Sequence, residues 1–263
     1  MPYRIDVQHP PEYALDRLVL LGALDVEPIA GGLAALLPDA VAAESVAGAL
    51  GVDRVAVSSA VGRDDGSVWI LSPRQVRAGR LLLLPADQPA RAGGIRLVDS
   101  GAFGTGLHAT TALCLEMLDD LLEATQADSV LDVGTGSGVL AFAALRLGVP
   151  RAVGLDIEPD ALRVAGANAE LNGLVPRLQL VLGGPEAVQG AWPLVLANVL
   201  AAPLMEMAPA LVQRVRHGGL LVLSGIPVSL TPEVQQVYRR LGMQHVRAES
   251  RSGWSALVLR PSW

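Results

Sequence analysis

The sequence predicts an α/β protein: a doubly wound, mostly parallel sheet over roughly the last two thirds of the chain, preceded by a small α+β module. Three observations predict it. From Ser129 onward, apolar runs of strand length alternate with segments of helical pattern. One of those strands runs into an aspartate and three alternate glycines, LDVGTGSGVL from Leu131 to Leu140, and then into the helix former AFAALRLG. The first sixty residues order as strand, helix, strand, strand, helix, strand.

In chain order, YRIDVQH reads as a strand and PEYALDRLVLLG as a helix ended by Gly22. ALDVEPI and GLAALLP are strands around Gly31 and Gly32. DAVAAESVAGALG is a helix opened at Asp39 and closed by Gly51, and DRVAVSSAV is the last strand. This βαββαβ order predicts a ferredoxin-like module, helices on one face of an antiparallel sheet, over residues 1–60. Residues 61–94, rich in Gly, Pro and Arg with short strands at SVWIL and RLLLLP, read as a connecting region. The main domain follows over 95–263, with strands at SVLDV, RAVGLDI, LQLVLG, PLVLANV, GLLVLSGI, QHVRAES and SALVLR. The last two, separated by RSGW, read as a reversed hairpin that finishes the sheet.

Composition narrows the function classes. The chain has 263 residues, 51% hydrophobic and 17% charged, and no apolar run of eighteen, so a soluble protein without a membrane span is expected. No basic region followed by an apolar stretch opens the chain, and a single cysteine excludes an internal disulfide; both fit the cytoplasm. Cys114 lies in the helical run TTALCLEMLDDLL and is expected in the core. The net charge of −6 argues against a dedicated nucleic-acid binder. All 20 basic residues are arginines, and six (Arg63, Arg74, Arg77, Arg80, Arg91, Arg96) fall in one stretch, which is either a solvated face or a surface for an acidic or RNA-bearing partner.

The glycine turn carries the chemistry. Gly134, Gly136 and Gly138 lack a Cβ and let main chain approach a ligand at the carboxyl end of a strand. A dinucleotide fingerprint needs glycine at 139, where this chain has Val139. Asp132, two residues ahead of the first glycine, would repel a pyrophosphate and suits a ligand with an ammonium group, which favours S-adenosylmethionine over NAD. Asp156, 24 residues on at the end of the next strand and followed by Ile157, can accept both hydroxyls of a ribose. Taken alone, such a turn is as readily a structural tight turn; the second acid makes it a nucleoside site.

The segment GAFGTGLHATT, Gly101 to Thr111, together with LDVGTGSGVLAFAALRLG, VGLDIEPDAL, LANVLAAPL and LSGI, closely resembles the PrmA family of class I, S-adenosylmethionine-dependent methyltransferases, which modify a large-subunit ribosomal protein. The resemblance covers about residues 95–260. It implies a Rossmann-like sheet, S-adenosyl-L-methionine as cofactor, and a ribosomal-protein substrate gripped by the small N-terminal domain. It also implies that Phe103, Gly104, Thr105, His108 and Thr111 face the cofactor, that Gly134 and Gly136 approach its methionine part, that Asp132 takes the amino group, that Asp156 and Ile157 flank the ribose, and that Asn198 stands beside the transferring methyl. His108 has a second reading, as a helix cap. Asn198 suits the chemistry because methyl transfer is an in-line displacement in which the protein chiefly aligns the acceptor amine; no strong general base stands in NVLAAP. Two departures stand out. The family's tryptophan-bearing helix before a basic stretch is missing, with only Asp65, Trp69 and the arginine run in that region, and LGGPEA puts Gly183 and Gly184 where a polar side chain meets adenine, leaving adenine to backbone amides.

The expectation is a protein-lysine N-methyltransferase acting on a ribosomal protein, monomeric, with no metal and no need for nucleic acid or membrane. A methyltransferase acting on another protein's lysine or on a small molecule is the alternative, and a non-catalytic nucleoside-binding protein a third reading.

Overall fold

The computed structural model describes the chain except residues 1–2, 12, 15–16, 19–20, 22, 24, 30, 38–40, 54, 60–74, 99–107 and 252. The chain divides into two compact units, Met1–Leu71 and Ser72–Trp263.

In the first unit, strands β1 (Tyr3–Gln8), β2 (Asp25–Ile29), β3 (Gly32–Leu37) and β4 (Ala56–Ser59) form one sheet in the order β2-β3-β1-β4, with β3 and β4 both antiparallel to β1. That is the order the split βαβ arrangement requires. Alternate residues Ile5 and Val7, with Val26, Ala35 and Leu37, pack against Leu18 and against Val46 and Leu50 of helix α1 (Ala43–Leu50). Helix α1 stops where expected: Gly51 takes φ 67° and its N–H returns to the Ala47 and Gly48 carbonyls. The helix starts later than the expected Asp39: Ala42 caps it in extended backbone and it begins at Ala43.

The second unit begins earlier than the sequence pattern implies. Residues from Val76 on, read as part of a connecting region, form a three-stranded sheet of β5 (Val76–Ala78), β6 (Leu81–Pro85) and β7 (Gly94–Leu97). Ala78, Leu81, Leu83, Ile95 and Leu97 are buried in the same core as the main sheet, so apolar burial, which the Gly, Pro and Arg content masks, assigns them to this unit. Two of the six clustered arginines serve as ties. Arg80 pairs with the buried Asp119 (Nε to Oδ1, 2.6 Å) and Arg96 reaches the Leu171 carbonyl (2.6 Å). Arg63 and Arg74, like Asp65, Trp69 and the SVWIL strand, lie outside the described residues.

The main sheet contains β8 (Ser129–Val133), β9 (Arg151–Asp156), β10 (Leu178–Leu182), β11 (Trp192–Asn198), β12 (Val215–Pro227), β13 (Met243–Arg251) and β14 (Trp254–Pro261), in the order β10-β9-β8-β11-β12-β14-β13. The first five are parallel and β14 is antiparallel to both its neighbours. Strand alternation splits the apolar side chains between two cores. Val130, Leu194, Leu196 and Val222 face α2 (Ala109–Ala124) and α3 (Val139–Arg146), whereas Leu131, Val195, Leu221 and Leu223 face α5 (Ala201–Glu206), α6 (Ala208–Gln213) and α7 (Thr231–Arg240). Cys114 of α2 is buried as expected, and burial pushes its thiol up to about 12, out of reach of nucleophilic chemistry. The chain leaves β8 toward β9 and β10, then returns to β11 on the other side of β8. The crevice at the carboxyl ends of β8 and β11 is therefore the topological switch point where open α/β sheets hold ligands.

Candidate functional site

Strand parity brings the site together. Because side chains alternate, residues two apart share a face. Asp132 follows Val130, Asn198 follows Leu194 and Leu196, Ser224 follows Val222, and Asp156 follows Ala152 and Gly154. The register pairs Asp132 with Leu196 and Gly154, and Asn198 with Ser224. On one face of four adjacent strands, apolar side chains thus give way to polar ones at the carboxyl end, the end beneath the glycine turn.

The turn has the backbone its glycines permit. Gly134 (φ 71°), Gly136 (φ 53°) and Gly138 (φ 86°) are all left-handed, and Gly138 caps α3. At Gly138 a Cβ would also collide with the Phe142 ring, so the turn sits against α3 with no space for a side chain. The Thr135 N–H donates to the Leu155 carbonyl (2.8 Å) and the Gly136 N–H to Asp156 Oδ2 (2.9 Å), which ties the turn to the end of β9.

The two acids differ. Asp132 is 1% exposed, and its Oδ2 accepts from Thr135 Oγ1 (2.7 Å) and the Ala141 N–H (3.2 Å), while its Oδ1 has no partner among the described residues. Burial, reinforced by the charge of Asp156, pushes its pKa up to about 6 against those two hydrogen bonds. Asp156 gives one lone pair of each oxygen to backbone, Oδ2 to Gly136 and Oδ1 to the Glu158 N–H (3.0 Å), which leaves a second lone pair on each. Ile157 beside it is 75% exposed, an apolar side chain at the carboxyl edge of the sheet.

Asn198 is 9% exposed, and its Nδ2 donates to Thr111 Oγ1 (3.3 Å) while Oδ1 has no partner among the described residues. Thr111 is fully buried at the start of α2. His108 is the N-cap of α2: its Nδ1 accepts the Thr110 N–H (3.3 Å) and lies 2.8 Å from Thr110 Oγ1, and burial lowers its pKa to about 4, so the ring is neutral at pH 7. Its ring meets Trp254 edge-on at 5.1 Å, so the tryptophan that opens β14 backs the cap. The capping reading of His108 is therefore realised. Phe103, Gly104 and Thr105 lie outside the described residues.

The structure adds residues that the motif reading missed. Thr135 orients Asp132, and Gly154 makes room for it, since a Cβ at Gly154 would come within 3.0 Å of Thr135 Oγ1. The signal was present in the spacing: a hydroxyl three residues after a strand-end acid is within its reach. The expectation that backbone amides at Gly183 and Gly184 meet adenine is narrowed. The Gly183 N–H donates to the Asp156 carbonyl (2.8 Å), so that amide is committed to the fold and does not meet adenine.

Among the described residues, only three buried side-chain atoms lack a hydrogen-bond partner: Asp132 Oδ1, Asn198 Oδ1 and Arg214 Nε. The first two are acceptors in one crevice. Buried polar groups are ordinarily paired, so two oxygens on one face of adjacent strands with no partner among the described residues suit a ligand with N–H donors or positive charge. S-adenosylmethionine has both in its ammonium and sulfonium groups. A pyrophosphate has neither. No group of His, Cys, Asp and Glu among the described residues could hold a metal ion.

Comparison with known proteins identifies the family. The family model described as ribosomal protein L11 methyltransferase (PrmA) matches residues 72–262. The chain is 38% identical to the ribosomal protein L11 methyltransferase of Pelobacter propionicus over 80% of this chain and 71% of that one. It is 45% identical to that of Geobacter sulfurreducens over 67% and 56%. The crystal structure of the ribosomal protein L11 methylase from Lactobacillus delbrueckii subsp. bulgaricus superposes with a TM-score of 0.65 and 29% identity, covering 72% of this chain and 99% of that one. The [4+2]-cyclase SpnF shares the fold at a TM-score of 0.51 and 14% identity, so the sheet alone does not determine the reaction.

Proposed function

The chain belongs to the ribosomal protein L11 methyltransferase (PrmA) family, and from that premise we propose that it transfers methyl groups from S-adenosyl-L-methionine to lysine side chains of ribosomal protein L11. The observation that carries the reading is the pair of buried, unpartnered oxygens, Asp132 Oδ1 and Asn198 Oδ1, on one face of the sheet. S-adenosylmethionine, when bound, supplies a methyl group on a positively charged sulfur. Asp132, aimed by Thr135 and the Ala141 amide, holds the amino end; Gly134 and Gly136 admit the methionine part; the spare lone pairs of Asp156 take the ribose hydroxyls with Ile157 as an apolar lip.

Asn198 then positions the acceptor. Thr111 engages its Nδ2, which turns Oδ1 toward the crevice, where it can accept an N–H of the incoming amine and direct the nitrogen lone pair. A lysine ammonium has a pKa of ~10.4, and entry into a water-poor crevice lowers it, so the proton leaves for solvent before transfer. Catalysis is thus alignment, and His108, neutral and engaged as a cap, supports α2.

The family model begins at residue 72, where the second unit begins, so methyl transfer is assigned to Ser72–Trp263 and grip on the protein substrate to the first unit. No helix of the described residues is long and apolar enough to cross a membrane. The reading places the protein in the cytoplasm, as a monomer, meeting its substrate without nucleic acid. Incubation with methyl-labelled S-adenosylmethionine and either free L11 or whole ribosomal subunits, followed by mass spectrometry, tests it. Label on L11 lysines is expected. Label on another protein or on none overturns the substrate. The chain has no lysine, so its own ε-amines add no background.

A further inference from the structure

Asn168 lies in α4 (Pro159–Asn172), is 0% exposed, and is not needed by any step above. Its Oδ1 accepts the Val98 N–H (2.8 Å), just past the end of β7, and its Nδ2 donates to the Ser137 carbonyl (2.9 Å) in the glycine turn. One helical turn on, Asn172 makes a clasp of its own: Oδ1 accepts the Arg96 N–H (2.9 Å) and Nδ2 donates to the Arg96 carbonyl (2.7 Å). Docking of β7 on α4 is therefore already secured by Asn172, with the Arg96 guanidinium on the Leu171 carbonyl as a third bond. An amide in mid-helix is a poorer helix former than alanine and is costly to bury unless fully bonded. What Asn168 adds, and Asn172 does not, is the bond to Ser137.

That bond completes a set. The glycine turn is held at Thr135 N by the Leu155 carbonyl, at Gly136 N by the Asp156 carboxylate, and at Ser137 O by Asn168. The first two anchors sit on β9 and only the third comes from α4. A turn with three glycines has much conformational freedom to lose on ordering. We infer that Asn168 is a positioning residue for cofactor binding: it orders the glycine turn before the ligand arrives, and so sets affinity without touching the ligand. The inference rests on the cofactor reading above.

The test is Asn168→Asp, which keeps an oxygen for the Val98 N–H and replaces the donor facing Ser137 with an acceptor. Calorimetric affinity for S-adenosylhomocysteine should fall about tenfold, on the scale of one lost hydrogen bond, with KM for S-adenosylmethionine rising in step and kcat nearly unchanged. Asn172→Ala, which breaks the Arg96 clasp and the Nδ2 bond to the Asn168 carbonyl (2.7 Å) but leaves the Asn168 side chain on Ser137, should lower the thermal midpoint and leave affinity within about twofold of the parent, a change too small for a lost hydrogen bond. Unchanged affinity in Asn168→Asp, or an equal loss in Asn172→Ala, overturns the positioning role. If the parent protein itself fails to bind S-adenosylhomocysteine, the cofactor reading falls instead. Should Asn168→Asp not fold, hydrogen exchange on the parent decides: the Val98 and Gly138 amides should gain protection together when S-adenosylhomocysteine is added, and a Val98 amide that does not respond overturns the inference.

Discussion

The two ends of the seven-stranded sheet both offer a ligand a place to sit, and they differ in what their polar atoms lack. At the amino ends of β8 to β11 a cavity of about 350 Å³ is lined by Ser129, Arg151, Arg177, Gln179 and Trp192. Its polar groups are largely engaged or bathed in solvent. Ser129 donates to Asp128 (2.7 Å), Asp128 pairs with Arg216 (3.3 Å), and Arg177 bonds the Leu145 carbonyl (3.3 Å). The carboxyl ends instead hold two buried acceptors with no donor among the described residues, beneath a left-handed glycine turn. The orphan nearer the amino side, Arg214 Nε, belongs to a guanidinium whose other nitrogens already bond Val188 O and Gln213 Oε1. Hydrogen bonding left unmet among the described residues is what separates the two ends.

That contrast can be broken by substitution. The largest effect is expected from Asn198→Ala: kcat should drop ~10²-fold or more through lost alignment, with a far smaller change in cofactor affinity, as steady-state kinetics and calorimetry together would show. Next comes Asp132→Asn. The Thr135 and Ala141 donors keep the amide oxygen on their side, so the new NH₂ faces the ammonium, and affinity for S-adenosylmethionine should fall ~100-fold, the scale of a lost charge-assisted bond. Circular dichroism on the same sample should show the native fold.

The pH dependence sharpens the same point. A cationic ligand favours the ionised carboxylate, so binding is full above about 6, where Asp132 is charged, and weakens as pH falls below it. Affinity at pH 5 should be ~tenfold below that at pH 7, since about nine in ten carboxyls are then protonated. Asp132→Asn should lose this dependence, and a parent protein that binds equally at both values would sink the role of Asp132. Thr135→Val should cost several-fold in affinity, about one neutral hydrogen bond, while Thr135→Ser restores most of it. The smallest effect belongs to the other end. Arg177→Ala should leave affinity and kcat within ~twofold, the usual range for a surface change remote from the site; a larger loss would give the amino-end cavity a function.

Much of this was legible in the residues. Strand lengths, the βαββαβ order and the acid-glycine turn follow from periodicity and spacing, and the apolar-polar alternation of Val130 with Asp132, or Leu196 with Asn198, already places those polar groups on one face. The three-stranded sheet around Leu83 was not legible, because its apolar runs are short and set among Gly, Pro and Arg, and only long-range packing identifies them as core. Asn168 was hidden for a similar reason: its two partners, Val98 and Ser137, are backbone groups 70 and 31 residues away. Of the two roles open to His108, the cap is realised in its bonds to Thr110, which involve Nδ1 alone.

The place of β14 has a consequence for biosynthesis. It is made after both β12 and β13, yet it lies between them, and those two do not pair with each other. Until Trp254–Pro261 has emerged from the ribosome, β12 presents a naked edge, β13 has no partner at all, and the His108 ring lacks its backing indole. Closure of the sheet is a late, long-range event of the kind that folds slowly and exposes edges while it waits. A nascent chain therefore lacks a closed sheet until Trp254–Pro261 has emerged and inserted between β12 and β13.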